Sequence, residues 1–241
     1  MEVPDVPASE PPVRPHAAPP RSGPEGVTVT CIQRLTLATV IVLVAATVAV
    51  VAFLALRGPG RSVDAATSGY ADQPTLGDAD APVKVILFEN FLCDHCRAFE
   101  EDAFPRLVTD YIDQGLVEAY YVNLAWGGER ARQAALAGEC AYRQDETGFW
   151  AFKSRLYRAQ NDWSGVEDLV ELARGVDGLD ADALRSCVVE ERYADEVQRD
   201  LDLAERVGVQ GTPSVIVGDE GFQAPAYPGL AAAIDARLAA R

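Results

Sequence analysis

The chain has 241 residues, of which 49% are hydrophobic, and its formal net charge is −16. This length and apolar content exclude a wholly disordered chain and suffice for one large domain or two small ones, each with its own core. The excess of 37 acidic over 21 basic residues argues against a nucleic-acid-binding surface.

Two segments lack any hydrophobic period. Residues 1–34 predict a disordered tail, because eight of the 15 prolines lie in the first 30 residues, among Ala, Glu and Ser. Residues 57–74 are rich in Gly, Ala, Ser and Asp and predict a flexible linker. A coil of that length spans roughly 25 Å on average, which lets a folded domain face partners near a membrane.

Residues 35–56 predict one transmembrane helix. Their sequence, LTLATVIVLVAATVAVVAFLAL, has no charge and no proline, and a helix of this length measures about 33 Å, as a bilayer core does. A cleaved signal peptide is the alternative, but the long apolar run and the preceding tail favour a retained signal anchor. Cys31, just before the span, is either a lipidation site or a free and inert cysteine.

Charge does not orient this span in the membrane. Two arginines precede it, Arg21 and Arg34, and two follow it, Arg57 and Arg61. The positive-inside count is therefore a tie.

The folded domain is predicted to begin near Thr75 and to open with a strand, a helix and a strand. Val83–Phe91 is largely apolar on both faces, as expected of a central buried strand. Helical spacing over Asp94–Gln114 predicts a helix that Pro105 kinks, and Val117–Leu124 is the second strand. Such a unit is right-handed and its strands are parallel.

A block of helical patterns follows, and no strand pattern interrupts it between residues 129 and 207. The predicted helices are Glu129–Arg143, Thr147–Ala159, Val166–Arg174, Asp180–Glu190 and Tyr193–Val207, with breaks at Gly148, Gly165 and Gly178. Asp180 is predicted to cap the fourth of them. The domain ends with a strand at Pro213–Val217, a possible strand at Gly221–Ala224 and a helix at Leu230–Leu238. The pattern indicates an α/β domain with an all-helical insertion.

Cys93 and Cys96 lie at the junction between the first strand and its helix. Two cysteines at this spacing form a dithiol that can cycle to a disulfide. The positive end of the helix dipole favours a thiolate on the first of them. Zinc sites use the same spacing, so the pair alone does not decide between redox chemistry and metal binding.

Three stretches in order resemble the DsbA-like thiol–disulfide oxidoreductases: FENFLCDHCRAFEED, ALAGECAYRQDETGFWAF and GVQGTPSVIVGD. The resemblance covers roughly Leu76–Arg241. It implies a thioredoxin-like fold with an all-helical insertion at about 129–207, within a domain of residues 75–241 that one transmembrane helix precedes.

The resemblance also implies roles for six residues. Cys93 matches the exposed attacking cysteine of the family and Cys96 the buried resolving one. Asp94 and His95 are the intervening pair that tunes the redox potential, and His95 favours negative charge on Cys93. Thr212 and Pro213 match the cis-proline loop that faces the dithiol and receives the substrate backbone.

Asp94 departs from the family, because many members have proline there. A carboxylate beside Cys93 disfavours its thiolate and so makes a milder oxidant. If Asp94 instead points to solvent or caps the helix, it changes little. Both interpretations stand at this point.

Cys140 and Cys187 correspond to a structural disulfide that some relatives carry. In the chain-entropy model such a bond would stabilise the domain by about 4 kcal/mol. Two separately buried free cysteines are the alternative. A disulfide would place the domain outside the cytoplasm and so orient the span, with the tail of residues 1–34 in the cytoplasm.

Other polar and aromatic residues carry weaker expectations. Thioredoxins have an acid six positions before the first cysteine, where Leu87 stands here, so Glu89 is read as a cleft-edge residue rather than as a proton relay to Cys96. The carboxylates of Glu100, Glu101 and Asp102 are read as a solvated helix face. The aromatic residues expected to pack the insertion against the sheet are Trp126, Phe149, Trp150 and Trp163, and Trp126 contacting substrate is the lesser alternative.

The leading hypothesis is a membrane-anchored extracytoplasmic enzyme that forms disulfides in exported proteins. Its partners would be unfolded, cysteine-containing substrates and a membrane protein that reoxidises Cys93 and Cys96. It would need no cofactor and no metal, bind no nucleic acid, and be a monomer. Three alternatives remain: a reductase or isomerase using the same pair, a Cu(I)- or zinc-binding protein using Cys93, Cys96 and His95, and a scaffold without redox activity.

Overall fold

A computed structural model describes residues 44–45 and 69–240 of the chain. The predicted tail, nearly all of the predicted span, and the linker up to residue 68 lie outside the described residues, as does Cys31. Among the described residues, no helix combines the length and the apolar character needed to cross a bilayer.

The domain of residues 69–240 is built on a mixed sheet with the strand order β1-β3-β2-β4-β5. Its strands are β1 (Thr75–Gly77), β2 (Val83–Glu89), β3 (Val117–Asn123), β4 (Ser214–Val217) and β5 (Glu220–Gln223). The predicted parallel pairing of β2 with β3 is confirmed, whereas β1 with β3, β2 with β4 and β4 with β5 are antiparallel. The prediction missed β1, because three residues at a sheet edge are too short to show a period.

The connection between β2 and β3 contains two helices rather than one kinked helix. These are α1 (Asp94–Glu101) and α2 (Ala103–Leu107), and a π-helical turn, Val108–Ile112, follows them. The break lies at Asp102 and not at the predicted Pro105. Proline has no N–H to bond the carbonyl four residues earlier, and its ring clashes with that carbonyl. The carbonyl four residues before Pro105 belongs to Glu101, so α1 ends at Glu101.

The predicted helical insertion is confirmed, with each helix end within one residue of its predicted place. The helices are α3 (Glu129–Tyr142), α4 (Glu146–Arg158), α5 (Val166–Ala173), α6 (Ala181–Val189) and α7 (Ala194–Val207). Asp180 caps α6, accepting hydrogen bonds from the backbone of Asp182 and Ala183. Gly148 does not break α4 as predicted, because its N–H lies in the first turn and donates to the Asp145 side chain at 2.6 Å. The final helix is α8 (Tyr227–Ala239).

Helices cover both faces of the sheet, so β2 is buried along nearly its whole length. Val85 and Leu87 belong to the main core, which the helices of the insertion share. Ile86 and Phe88 face the other way, into a smaller cluster with residues of α7. Tyr70 belongs to that smaller cluster and is buried, so the folded domain extends five residues before the predicted start at Thr75.

A disulfide joins α3 to α6. The sulfurs of Cys140 and Cys187 are 1.97 Å apart, and the bond closes a sequence separation of 47 residues. Phe149 and Trp150 of α4 pack against the ring of Tyr121 on β3, with ring centroids 5.5 and 6.0 Å from it. A covalent bond therefore links two helices within the insertion, and aromatic contacts pack the insertion against the sheet.

Candidate active site

The turn between β2 and α1 places the two cysteines in different environments. Cys93 is the N-cap residue of α1, and its sulfur accepts a hydrogen bond from the backbone N–H of Cys96 at 3.4 Å. Cys93 is partly exposed and Cys96 is fully buried behind it. Both are free thiols in this structure. One sulfur can therefore meet a macromolecular substrate, and the other can be reached only through the first.

The loop before β4 faces the exposed thiol. The Cys93 thiol donates to the carbonyl oxygen of Thr212 at 3.2 Å, and the peptide bond between Thr212 and Pro213 is cis. The antiparallel pairing of β4 with β2, in which Phe88 lies opposite Ser214, brings this loop to the dithiol. Four of the six residues that the resemblance indicated, the two cysteines and this dipeptide, thus lie together.

The other two predicted site residues are exposed to solvent. The Asp94 side chain is 78% exposed, and its carboxylate lies 3.3 Å from the guanidinium of Arg97. His95 is also exposed. Of the two interpretations of Asp94, this arrangement favours the one in which the carboxylate points to solvent, because water and Arg97 screen its charge from the Cys93 sulfur.

Burial and a nearby carboxylate act together on Cys96. Removal from water raises the pKa of the Cys96 thiol, and the negative charge of Glu89 raises it further. A thiolate on Cys96 is therefore strongly disfavoured. When this sulfur leaves a disulfide, it needs a proton.

Glu89 is not the cleft-edge residue that the sequence suggested. It ends β2 and is fully buried. Burial raises the pKa of Glu89 to about 7, although the positive charge of Lys153 opposes this shift. The side chain is thus an acid inside the domain that exchanges its proton near neutral pH, within electrostatic reach of Cys96.

Glu100 was wrongly assigned to a solvated helix face. It is buried, forms an ion pair with Lys153, and accepts a hydrogen bond from the Ser154 hydroxyl at 2.8 Å. Lys153 is itself fully buried, with its ammonium 4.0 Å from the centre of the Phe104 ring. This ion pair could not be predicted from the sequence, because its partners lie 53 residues apart and meet only when α4 packs against α1.

Gln160 and Asn90 also contact the active-site turn, and sequence reasoning missed both. The Gln160 amide donates to the carbonyls of Phe91 and Cys93. Asn90 accepts from the N–H of Leu92 at 2.8 Å and donates to the carbonyl of Trp126 at 2.6 Å. An asparagine directly after a strand is a turn signal that identifies Asn90, whereas no local signal identifies Gln160.

The four aromatic residues expected to pack the insertion against the sheet divide into two groups. Phe149 and Trp163 are buried, and Trp150 is partly buried. Trp126 does not pack in this way, since its side chain is 37% exposed. It follows β3 at the same end of the sheet as Cys93, and so lies at the surface that a substrate would approach.

Glu89→Gln is expected to stabilise the protein by on the order of 3 kcal/mol at about pH 8 and to change little near pH 4. The folded state raises the pKa of Glu89 from 4.5 to about 7. The stability that Glu89 contributes as a neutral acid is therefore fully present below 4.5 and is lost as the pH rises through about 7. A neutral glutamine avoids this loss. Urea unfolding at the two pH values measures the difference in the free energy of unfolding between the variant and the wild type.

The matched control is Glu101→Gln, which removes the same charge from an exposed position. We expect it to change stability by less than about 0.5 kcal/mol at both pH values. A loss of stability in Glu89→Gln that is larger at about pH 8 than near pH 4 would instead show that Glu89 is needed as an ion.

Comparison with known proteins gives one family and several relatives. A family profile described as Thioredoxin matches residues 70–236. Disulfide bond formation protein D of Bacillus subtilis (strain 168) is 35% identical over 152 residues, covering 61% of this chain and 68% of the relative. The probable disulfide bond formation protein D of Bacillus anthracis is 34% identical over 174 residues, covering 70% of this chain and 80% of the relative.

Solved structures agree with the sheet and the insertion described above. Oxidised BdbD from Bacillus subtilis superposes with a TM-score of 0.69 at 32% identity, covering 73% of this chain and 97% of that one. DsbA from Chlamydia trachomatis superposes with a TM-score of 0.67 at 20% identity, covering 76% and 98% respectively. The second likeness shows a shared fold.

Proposed function

Since this chain belongs to the DsbA-like thiol–disulfide oxidoreductases, we propose that it forms disulfides in exported proteins by means of Cys93 and Cys96. The observation that carries this proposal is the asymmetry of the two sulfurs. Cys93 is partly exposed at the start of a helix, opposite the Thr212 carbonyl, and Cys96 is buried behind it. A substrate sulfur can reach only the first.

Disulfide formation in a substrate follows in two exchange steps. A substrate thiolate attacks the Cys93 sulfur of the oxidised protein, which forms a mixed disulfide and releases Cys96 as a thiolate. Because the pKa of Cys96 is raised by burial, this thiolate takes up a proton. A second substrate thiolate then attacks the substrate sulfur, so the substrate leaves as a disulfide, Cys93 leaves as a thiolate, and the protein has gained two electrons.

Two features support the oxidising direction. The Cys93 sulfur accepts the N–H of Cys96 at the positive end of α1, and stabilising a thiolate there stabilises the reduced protein, which makes the disulfide a stronger oxidant. The negative charge of Asp94 is directed to solvent and paired with Arg97, so it opposes this effect little. The relatives named above are also disulfide bond formation proteins.

Each turnover leaves a dithiol, so the protein needs a partner that removes two electrons. We propose a membrane redox protein in this role, and residues 35–56 as an anchor that holds the domain outside the cytoplasm and beside that partner. The uncharged run of these residues supports the anchor, and the disulfide between Cys140 and Cys187 supports the extracytoplasmic side. Release of the protein from membranes by an alkaline wash would contradict the anchor.

The decisive measurement is the reduction potential of the pair formed by Cys93 and Cys96. We would equilibrate the full-length protein in detergent with glutathione, in a Cys31→Ser background so that this cysteine cannot contribute to the measurement. An oxidase is expected to lie well above thioredoxin, whose potential is about −270 mV, and toward DsbA, at about −120 mV. A value near that of thioredoxin would assign the same residues to a reductase, and stoichiometric copper or zinc would indicate metal binding instead.

A further inference from the structure

The side chain of Gln160 joins the helical insertion to the active-site turn. It lies just after α4 and is buried, with 3% of its surface exposed. Its amide nitrogen donates to the Phe91 carbonyl at 2.9 Å and to the Cys93 carbonyl at 3.0 Å. Both N–H groups of the carboxamide thus donate hydrogen bonds to the backbone of the turn that carries the reactive thiol.

The Cys93 carbonyl determines where the sulfur sits on the helix. Cys93 is an extended residue with a ψ of 118°, while the residues after it are helical. Its carbonyl accepts the first hydrogen bond of α1, from the N–H of Arg97 at 3.1 Å, and Gln160 supplies a second donor. With this carbonyl held from two sides, rotation about the bond from Cα to the carbonyl carbon is restricted, and so is the position of the sulfur over the N–H of Cys96.

Gln160 is itself held in place by contacts within the insertion. The guanidinium of Arg130 donates to the backbone carbonyl of Gln160 at 2.6 Å and lies 4.2 Å from the centre of the Trp163 ring. The Trp163 indole in turn donates to the carbonyl of Leu156 in α4 at 3.2 Å. The carboxamide is therefore presented to the turn from a packed surface and not from a free loop.

We propose that Gln160 is a positioning residue for thiol–disulfide exchange, which fixes the start of α1 so that the Cys93 thiolate remains at the positive end of the helix. This inference rests on the proposed function, in which Cys93 and Cys96 are the redox pair. Removing the two hydrogen bonds frees the Cys93 peptide to rotate, which weakens the stabilisation of the thiolate. The reduced protein then becomes less stable relative to the disulfide, and the disulfide becomes a weaker oxidant.

The test is Gln160→Met, which keeps the length of the side chain and removes the donors. In the glutathione equilibrium, we expect the constant for reduction of the protein to fall about tenfold, or about 30 mV. The rate at which iodoacetamide alkylates Cys93 at a fixed acidic pH is expected to fall with it, because only the thiolate reacts. An unchanged equilibrium constant in folded Gln160→Met protein would overturn the proposal.

Gln144→Met is the matched control for lost stability. Gln144 follows the far end of α3 and accepts the N–H of Asp180 at 2.7 Å, so its loss removes a side-chain to backbone hydrogen bond far from the dithiol. We expect the equilibrium constant to stay at the wild-type value in this variant. An equal fall in both methionine variants would mean that general loosening, and not the position of Cys93, shifts the equilibrium.

Gln160→Glu provides a second test that does not depend on an apolar replacement being tolerated. A neutral carboxylic acid can donate one hydrogen bond to the two carbonyls, whereas a carboxylate can donate none and repels both. The shift relative to wild type is therefore expected to grow as the pH rises through the titration of the new carboxyl group. A shift that does not vary with pH would contradict the positioning role, and wild-type protein without exchange activity would instead refute the proposed function itself.

Discussion

Cys93→Ser protein is expected to have no more thiol–disulfide exchange activity than the uncatalysed reaction, whereas Cys96→Ser protein is expected to accumulate mixed disulfides. The reason is the exposure of the two sulfurs. Cys93 is partly exposed and Cys96 is fully buried, so a substrate cannot reach the second cysteine when the first is absent. Non-reducing gels of each reduced variant mixed with a disulfide-bonded substrate measure both outcomes.

The trapped species defines which sulfur is bonded to the substrate. In Cys96→Ser protein, the Cys93 thiolate attacks a substrate disulfide, forming a mixed disulfide and expelling the other substrate sulfur as a thiolate. Without Cys96 the protein cannot expel the bound substrate by closing its own disulfide, so the adduct persists. The matched control is Cys31→Ser, which removes a cysteine outside the described domain and is expected to leave turnover unchanged. Adducts formed by Cys93→Ser protein would contradict this order of attack.

Replacing Cys140 and Cys187 together by serine is expected to lower the free energy of unfolding by about 4 kcal/mol. Their disulfide joins α3 to α6 across a sequence separation of 47 residues, and a closed loop of this size removes much conformational freedom from the unfolded chain. Urea unfolding of the full-length protein in detergent, followed by tryptophan fluorescence, measures the loss. Urea unfolding of the wild-type protein in the presence of a strong reductant provides an independent value for the contribution of this disulfide to the free energy of unfolding.

The reduction potential of Cys93 and Cys96 separates this structural role from a catalytic one. It is expected to remain unchanged in the double serine variant, because the disulfide bonds two helices of the insertion and neither cysteine contacts the active-site turn by hydrogen bond. A loss of less than about 1 kcal/mol would show that the unfolded chain is already compact enough for the bond to matter little.

Most of the secondary structure was predictable because the elements are long and their hydrophobic periods are clear. The five helices of the insertion begin and end within one residue of their predicted bounds. The errors in predicted secondary structure concern the position of one helix break and one strand that is too short. At Asp102 the helix breaks one turn before the proline that causes the break, and β1 is too short to have a period, so only its pairing with β3 reveals it.

The candidate site was predictable only where its residues are close in sequence or belong to a recognisable motif. Cys93 and Cys96 are three positions apart, and Thr212 and Pro213 were indicated by the resemblance. Gln160, in contrast, reaches Cys93 across 67 residues. No periodicity or composition connects such distant positions, and the contact exists only because the insertion packs against the turn.

The buried ammonium of Lys153 makes local opening of the domain measurable. The chain has only two lysines, Lys84 and Lys153, and their side chains are 22% and 0% exposed. An amine-specific reagent should therefore label Lys84 in the folded protein, and Lys153 only in molecules in which α4 has moved away from α1. The ratio of the two labelling rates reports the free energy of that opening, with the reference lysine present in the same molecule.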